Sequence, residues 1–175
     1  MIKPPIPLMP WIESNRASLR PPVGNKNVYN EGGFMLFVVG GPNERTDWHI
    51  DPREEIFYQI QGDMLLRIVD DGEFKDQWIR QGELYLLPAN VPHSPQRFAD
   101  TVGVVCEYAR EEGELDGVRW YCPACSAVVH EEWFHLTDTT TQLAPVFARF
   151  YASEALRTCP ECGHLHPAPP TSPPA

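Results

Sequence analysis

The chain has no run of 18 apolar residues, so no transmembrane helix is expected. Its start, MIKPPIPLMPW, carries one lysine and places prolines where a secretory leader needs an apolar stretch, so the expected location is cytoplasmic. Positive charge is scarce: 14 Lys and Arg stand against 24 Asp and Glu, a formal net charge of −10. That argues against non-specific nucleic-acid binding, which requires a basic face. It also means that an anionic ligand must be drawn in locally, by particular arginines. Cysteines number only five. In a reducing compartment they are expected to be metal ligands or free thiols rather than disulfides.

Among what is present, short strand signals dominate. They fall at Gly33–Val39, Glu55–Gln61, Met64–Val69, Gln77–Arg80, Glu83–Leu87 and Gly103–Tyr108, rich in β-branched and aromatic residues. Gln61-Gly62-Asp63 and Asp70-Asp71-Gly72 read as turns. Before the strands come an extended arm over residues 1–10, a short helix over Trp11–Leu19, and a loop over Arg20–Asn30 that could cover a cavity mouth. Arg110–Asp116 reads as a linker. A strand is expected at Val128–Leu136 and a helix over Asp138–Leu156, started or kinked at Pro145. The tail Pro167–Ala175 is low in complexity and expected to be disordered. The expected organisation is residues 1–116 as the main domain, 117–166 as a metal-binding segment and 167–175 as tail.

Two motifs carry the chemistry. From Gly41 the chain reads G-x7-H-x-D-x3-E-x6-G, then after 19 residues G-x5-P-x-N-x2-H-x3-R. Together they offer His49, Glu55 and His93, the two imidazoles and one carboxylate that hold Fe(II) and leave positions open for substrate and dioxygen. Mn(II) or Ni(II) could fill the same geometry. This is the double motif of the cupin fold, which predicts an all-β jelly-roll barrel. Asp51 is expected to stand off the metal, the alternative being a four-ligand site that includes it. Asn90 suits a tight turn before His93, because asparagine tolerates the left-handed conformation. Arg45, four residues before His49, and Arg97, four residues after His93, can present a fork to a carboxylate or an oxygen species. Glu107 shares a strand face with Val105 and needs a polar partner if it points inward. Separately, Cys122-x2-Cys125 and Cys159-x2-Cys162 form two knuckles suited to an all-sulfur zinc or iron site, leaving Cys106 over.

Beyond these motifs, PPVGN at Pro21–Asn25, the run Val38–Gln59 with WHIDPREEIFYQ, LLPANVPHSPQR at Leu86–Arg97, LDGVRWYCPAC at Leu115–Cys125 and Phe150–Pro167 resemble the 3-hydroxyanthranilate 3,4-dioxygenase family in its bacterial form. The resemblance implies Fe(II)-dependent extradiol cleavage of 3-hydroxyanthranilate by O2. The product, 2-amino-3-carboxymuconate semialdehyde, closes to quinolinate, on the route from tryptophan to NAD. It implies iron ligands His49, Glu55 and His93, with Glu55 and Arg45 catalytic. It places Asn25, Arg45, Glu55, Arg97 and Glu107 at the substrate. It favours a rubredoxin-like iron, with zinc as the other choice, at Cys122, Cys125, Cys159 and Cys162, in a small C-terminal segment containing a helix. A homodimer is expected. The competing readings are another cupin ortho-aminophenol or catechol dioxygenase, and a non-catalytic cupin that binds a partner.

Overall fold

The computed structural model describes residues 3–21 and 24–168. The elements in chain order are helix α1 (Leu8–Asn15) with a 3-10 turn (Arg16–Leu19), then strands β1 (Asn25–Glu31), β2 (Phe34–Gly40), β3 (Trp48–Ile50), β4 (Glu55–Gln61), β5 (Met64–Asp70), β6 (Glu73–Ile79), β7 (Leu84–Leu87), β8 (His93–Arg97), β9 (Val102–Tyr108), β10 (Asp116–Tyr121) and β11 (Val128–Phe134). Helices α2 (Thr139–Ala152) and α3 (Glu154–Arg157) follow. No helix among the described residues is long and apolar enough to cross a membrane.

The strands form two sheets, ordered β1-β2-β9-β4-β7 and β11-β10-β3-β8-β5-β6. The expected jelly-roll barrel is not what forms. Neither sheet closes on itself, because β1 and β7 end one sheet and β11 and β6 end the other, with no ladder joining them among the described residues. A closed sheet has no edge strands; this fold is a two-sheet, cupin-like arrangement with a helical segment at its C-terminus.

Period-two alternation sets the inner faces. In β4, Glu55, Phe57 and Gln59 are buried while Ile56 and Tyr58 are exposed. Met35, Phe37, Phe57 and Val105 meet Met64, Leu66 and Ile68 of the facing sheet. The opposite face of the first sheet packs Val38, Val102 and Val104 under Ile12 and Leu19 from the N-terminal helical segment. Hence Val105 and Glu107 share the inner face, as the alternation predicts. Asp71 and Gly72, with φ of 50° and 79°, make the tight hairpin between β5 and β6.

Several expectations shift. The helix begins at Leu8, within the supposed extended arm. Asn25–Asn30, the second half of the expected Arg20–Asn30 loop, belong to strand β1, which pairs with β2. Of the two places expected for Pro145, at the start of the helix or at a kink within it, the position is inside α2. Apart from these shifts, the segment expected from residue 117 runs on from β10 (Asp116–Tyr121), which pairs with β3 on one side and β11 on the other. Residues 169–175 of the tail, and Pro22 and Val23 of the expected loop, lie outside the described residues.

Candidate metal and substrate site

Antiparallel pairing of β3 with β8 sets His49 directly opposite His93. The turn before His93 depends on Asn90, whose φ is 63° and whose N–H donates to the Asp51 carbonyl at 2.7 Å. Glu55 comes from β4 in the other sheet, so the three side chains bridge the two layers. All three are buried. One ligand atom from each lies within 4.8 Å of the others.

The donor set fits a metal ion. Nδ1 of His93 faces the Val91 carbonyl at 3.0 Å, which fixes its proton there and turns the lone pair of Nε2 toward Glu55 Oε1, also at 3.0 Å. Nε2 of His49 lies 2.8 Å from Asp116 Oδ2, leaving Nδ1 to face the same Glu55 oxygen at 3.8 Å. Glu55 Oε1 is buried and makes no hydrogen bond. Three buried donor atoms thus converge on one point. Burial opposes ionisation of Glu55, but His93, His49 and Arg110 outweigh it and hold the carboxyl down at about 2. Burial pushes His49 down, whereas at His93 the Glu55 charge overcomes burial and pushes it up.

Arg97 ends β8 on the inner face, 4% exposed. Its Nη1 donates to Gln59 Oε1 at 3.0 Å. It has no carboxylate partner in the set of ion pairs among the described residues. Burial, and then the nearby charge of Arg45, push it down to about 9, which leaves it cationic at neutral pH. Gly103 on β9 permits this contact, since a Cβ there would sit 2.2 Å from Gln59 Oε1 and 2.8 Å from Arg97 Nη1. Arg45 is ion-paired with Asp47. A cavity of about 630 Å³ opens beside it, lined also by Asn25, Asn43, Leu143 and Phe147. None of the three candidate ligands lines that cavity; Arg45 is the link between the two.

Behind Glu55 lie two further buried carboxylates, Asp51 and Glu107, each with an oxygen within 4.8 Å of the others. Burial, then the Glu55 charge, push both up to about 8. Asp51 Oδ1 accepts from the Arg53 N–H at 2.8 Å. Both face Arg110, at 2.7 Å for Asp51 and 3.0 Å for Glu107. Arg110, Asp116 and Gln59 escape a reading of the sequence. The first two fall in a stretch whose glycine and acidic residues read as linker, and Gln59 looks like any polar residue in a strand. Only the alternation that places Gln59 on the Glu55 face could have pointed to it.

At the C-terminal segment, Cys122, Cys125, Cys159 and Cys162 bring their sulfurs within 4.8 Å of one another. The Cys122–Cys162 and Cys125–Cys159 sulfurs are 3.6 Å apart. That is close to the edge, about 3.8 Å, of a tetrahedron of thiolates 2.3 Å from a central ion. The two knuckles are built alike. Ser126 N–H returns to the Cys122 carbonyl and Gly163 N–H to the Cys159 carbonyl, and both residues have positive φ. Among the described residues, none of the three groups that could hold a metal includes His130, His135, His164 or His166.

The sequence profile of a family described as 3-hydroxyanthranilic acid dioxygenase matches residues 1–151. The chain belongs to that family. Among its relatives are proteins named 3-hydroxyanthranilate 3,4-dioxygenase. The one from Xanthomonas euvesicatoria pv. vesicatoria is 53% identical, and one from Xanthomonas oryzae pv. oryzae 52%, each over 97% of this chain and 96% of the relative. A third, from Neurospora crassa, is 50% identical over 94% of this chain and 91% of the relative. The 3-hydroxyanthranilic acid dioxygenase match spans both cupin motifs and the first cysteine pair, and the relatives extend it over the second.

Proposed function

We propose that His49, Glu55 and His93 hold Fe(II), and that the protein uses it to open the ring of 3-hydroxyanthranilate with O2. The product is 2-amino-3-carboxymuconate semialdehyde, the precursor of quinolinate in tryptophan catabolism toward NAD. Membership of the family supports the activity, and imidazole with a hard carboxylate suits Fe(II). The observation that carries the substrate assignment is Arg97, a buried guanidinium beside a second cation and without a carboxylate of its own.

Bound at this site, Fe(II) supplies the redox chemistry that joins an electron-rich aminophenol to O2. The chain's own residues do the rest. Arg97, braced by Gln59, clamps the ring carboxylate. Glu107 accepts a hydrogen bond from the polar edge of the ring. Arg45 stabilises negative charge as it develops on the oxygen side. Asn25 lines the adjoining cavity and contacts the substrate from there. Asp51, held by Arg53 and Arg110, stays off the metal.

The tetracysteine group is proposed to hold an iron or zinc ion that pins the C-terminal segment, residues 117–166, to the domain formed by residues 1–116. The active species is proposed to be a homodimer in the cytoplasm. The test of the catalytic reading is anaerobic Fe(II) loading of the full chain, then addition of 3-hydroxyanthranilate and O2, with absorbance following the ring-opened product. Wild type should turn over, and His93→Ala should lose both site iron and activity. Absence of turnover by wild type at stoichiometric iron would sink the assignment.

A further inference from the structure

Behind the candidate ligands, Arg110 gathers three carboxylates around one buried guanidinium. Nε donates to Asp116 Oδ1 at 2.8 Å and Nη2 to Asp116 Oδ2 at 2.6 Å, a bidentate fork. Nη1 donates to Glu107 Oε2 at 3.0 Å and to the Tyr108 carbonyl at 2.7 Å. Nη2 also lies 2.7 Å from Asp51 Oδ2. A guanidinium has five N–H donors; here five oxygens face it. Its side chain is fully buried, as is that of Asp116.

Asp116 Oδ2 is also the oxygen 2.8 Å from His49 Nε2. An ionised carboxylate only accepts, so Nε2 must carry the ring proton and Nδ1 the lone pair facing Glu55. His93 reaches the same state with a neutral acceptor, the Val91 carbonyl. His49 alone of the pair rests on a charged group, which also raises the basicity of a ligating imidazole. A buried carboxylate holds its charge only if it is paired, and Asp116 is paired by Arg110. On the other side the same cation fixes Glu107.

We propose that Arg110 is a positioning residue acting in two directions. Through Asp116 it sets the proton and ring direction of His49 as a metal ligand, and directly it aims Glu107 at the substrate. This rests on the reading of His49, Glu55 and His93 as the iron site. A buried ionic network of this kind adds little net stability over an apolar filling of the same space. Its function is therefore direction rather than cohesion. Lysine cannot replace the arginine here, because one ammonium has three donors at a single point and no planar fork.

The experiment titrates Mn(II) alone into the full chain, read by electron paramagnetic resonance. Mn(II) is a hard ion that suits imidazole and carboxylate but not four thiolates, so the cysteine group stays out of the measurement. Asp116→Asn retains the shape, but its amide cannot accept on both oxygen positions. It should weaken Mn(II) binding about ten- to a hundredfold and change the line shape. Arg110→Lys should weaken Mn(II) binding similarly and also raise KM for 3-hydroxyanthranilate roughly tenfold, the loss of an aimed charge-assisted bond. A lower melting temperature in folded Asp116→Asn with Mn(II) affinity within about twofold of wild type would overturn the relay. Should Arg110→Lys fail to fold, Asp116→Asn decides alone. His93→Ala separates the two readings. If it binds Mn(II) as wild type does, the site itself is misassigned and the relay falls with it. If His93→Ala loses Mn(II) while Asp116→Asn retains it, only the relay fails.

Discussion

Burying Arg97 beside Arg45 costs free energy that the fold does not recover, since Gln59 offers it only a neutral oxygen. An anionic ring substituent completes the arrangement. A charge-assisted bidentate bond contributes on the order of 1.5–3 kcal/mol, so Arg97→Ala should weaken 3-hydroxyanthranilate binding roughly ten- to a hundredfold. Arg97→Lys should recover only part of this, for want of the fork. The informative comparison is 2-aminophenol, which lacks the carboxylate. Wild type should strongly prefer 3-hydroxyanthranilate, and in Arg97→Ala the gap in affinity should nearly close. If the full preference survives, Arg97 does not hold the carboxylate and Arg45 is the next residue to test. At this scale the candidate ligands were legible because the chemistry demands particular residue types at particular spacings. Asp116 and Arg110 were not, because a charged residue's burial depends on partners elsewhere in the fold and leaves no local mark.

Elements differ in how openly the sequence announces them, and burial on both faces is one reason. Strand β4 matches its expected span, Glu55–Gln61, because one face is buried and the other exposed, giving clear alternation. Strands β3 and β8 are buried on nearly every residue, so no period of two survives, and β10 begins with three buried residues in a row. Pro95 further disguises β8, as a proline argues against a strand read from sequence alone. Strand β1 is an edge in which Asn, Lys and Glu outnumber Val28 and Tyr29, a polarity that reads as loop but is what an exposed edge requires. The C-terminal elements were clearer, because α2 lays Val146 and Phe150 on Val118 and Trp120 of β10. The Trp120 and Phe150 rings stack 4.0 Å apart. That apolar contact fastens α2 to the sheet independently of the cysteines. Cys122→Ser or Cys159→Ser should therefore release the ion of the tetracysteine group, detected by metal analysis, and speed amide exchange in the knuckles around residues 122–126 and 158–165. Partial turnover should persist. Complete loss of turnover, with site iron and the remaining fold intact, would show that the group does more than hold the segment.

Across the whole molecule, the outer face of the β1-β2-β9-β4-β7 sheet is only half covered. The N-terminal helical segment packs over Val38, Val102 and Val104. Beyond it, Ile56 and Tyr58 of β4 pair with Leu86 and Leu84 of the edge strand β7, and all four are exposed, Leu84 at 69% and Leu86 at 58%. Phe34 and Tyr108 continue the same face through β2 and β9. A contiguous apolar face on an otherwise strongly acidic protein favours an apolar partner surface. A second copy supplies one by two-fold symmetry, with the same strands facing each other. Such an interface typically buries about 800 Å² per partner, a task that a row of leucines and aromatics on one sheet can meet. Light scattering should therefore give twice the chain mass for wild type at micromolar concentration. Leu84→Glu with Leu86→Glu should give a monomer whose circular dichroism is unchanged, since neither side chain reaches the core. A wild-type monomer would remove the homodimer from the proposed function, and a double variant that stays dimeric would move the interface to another face of the molecule.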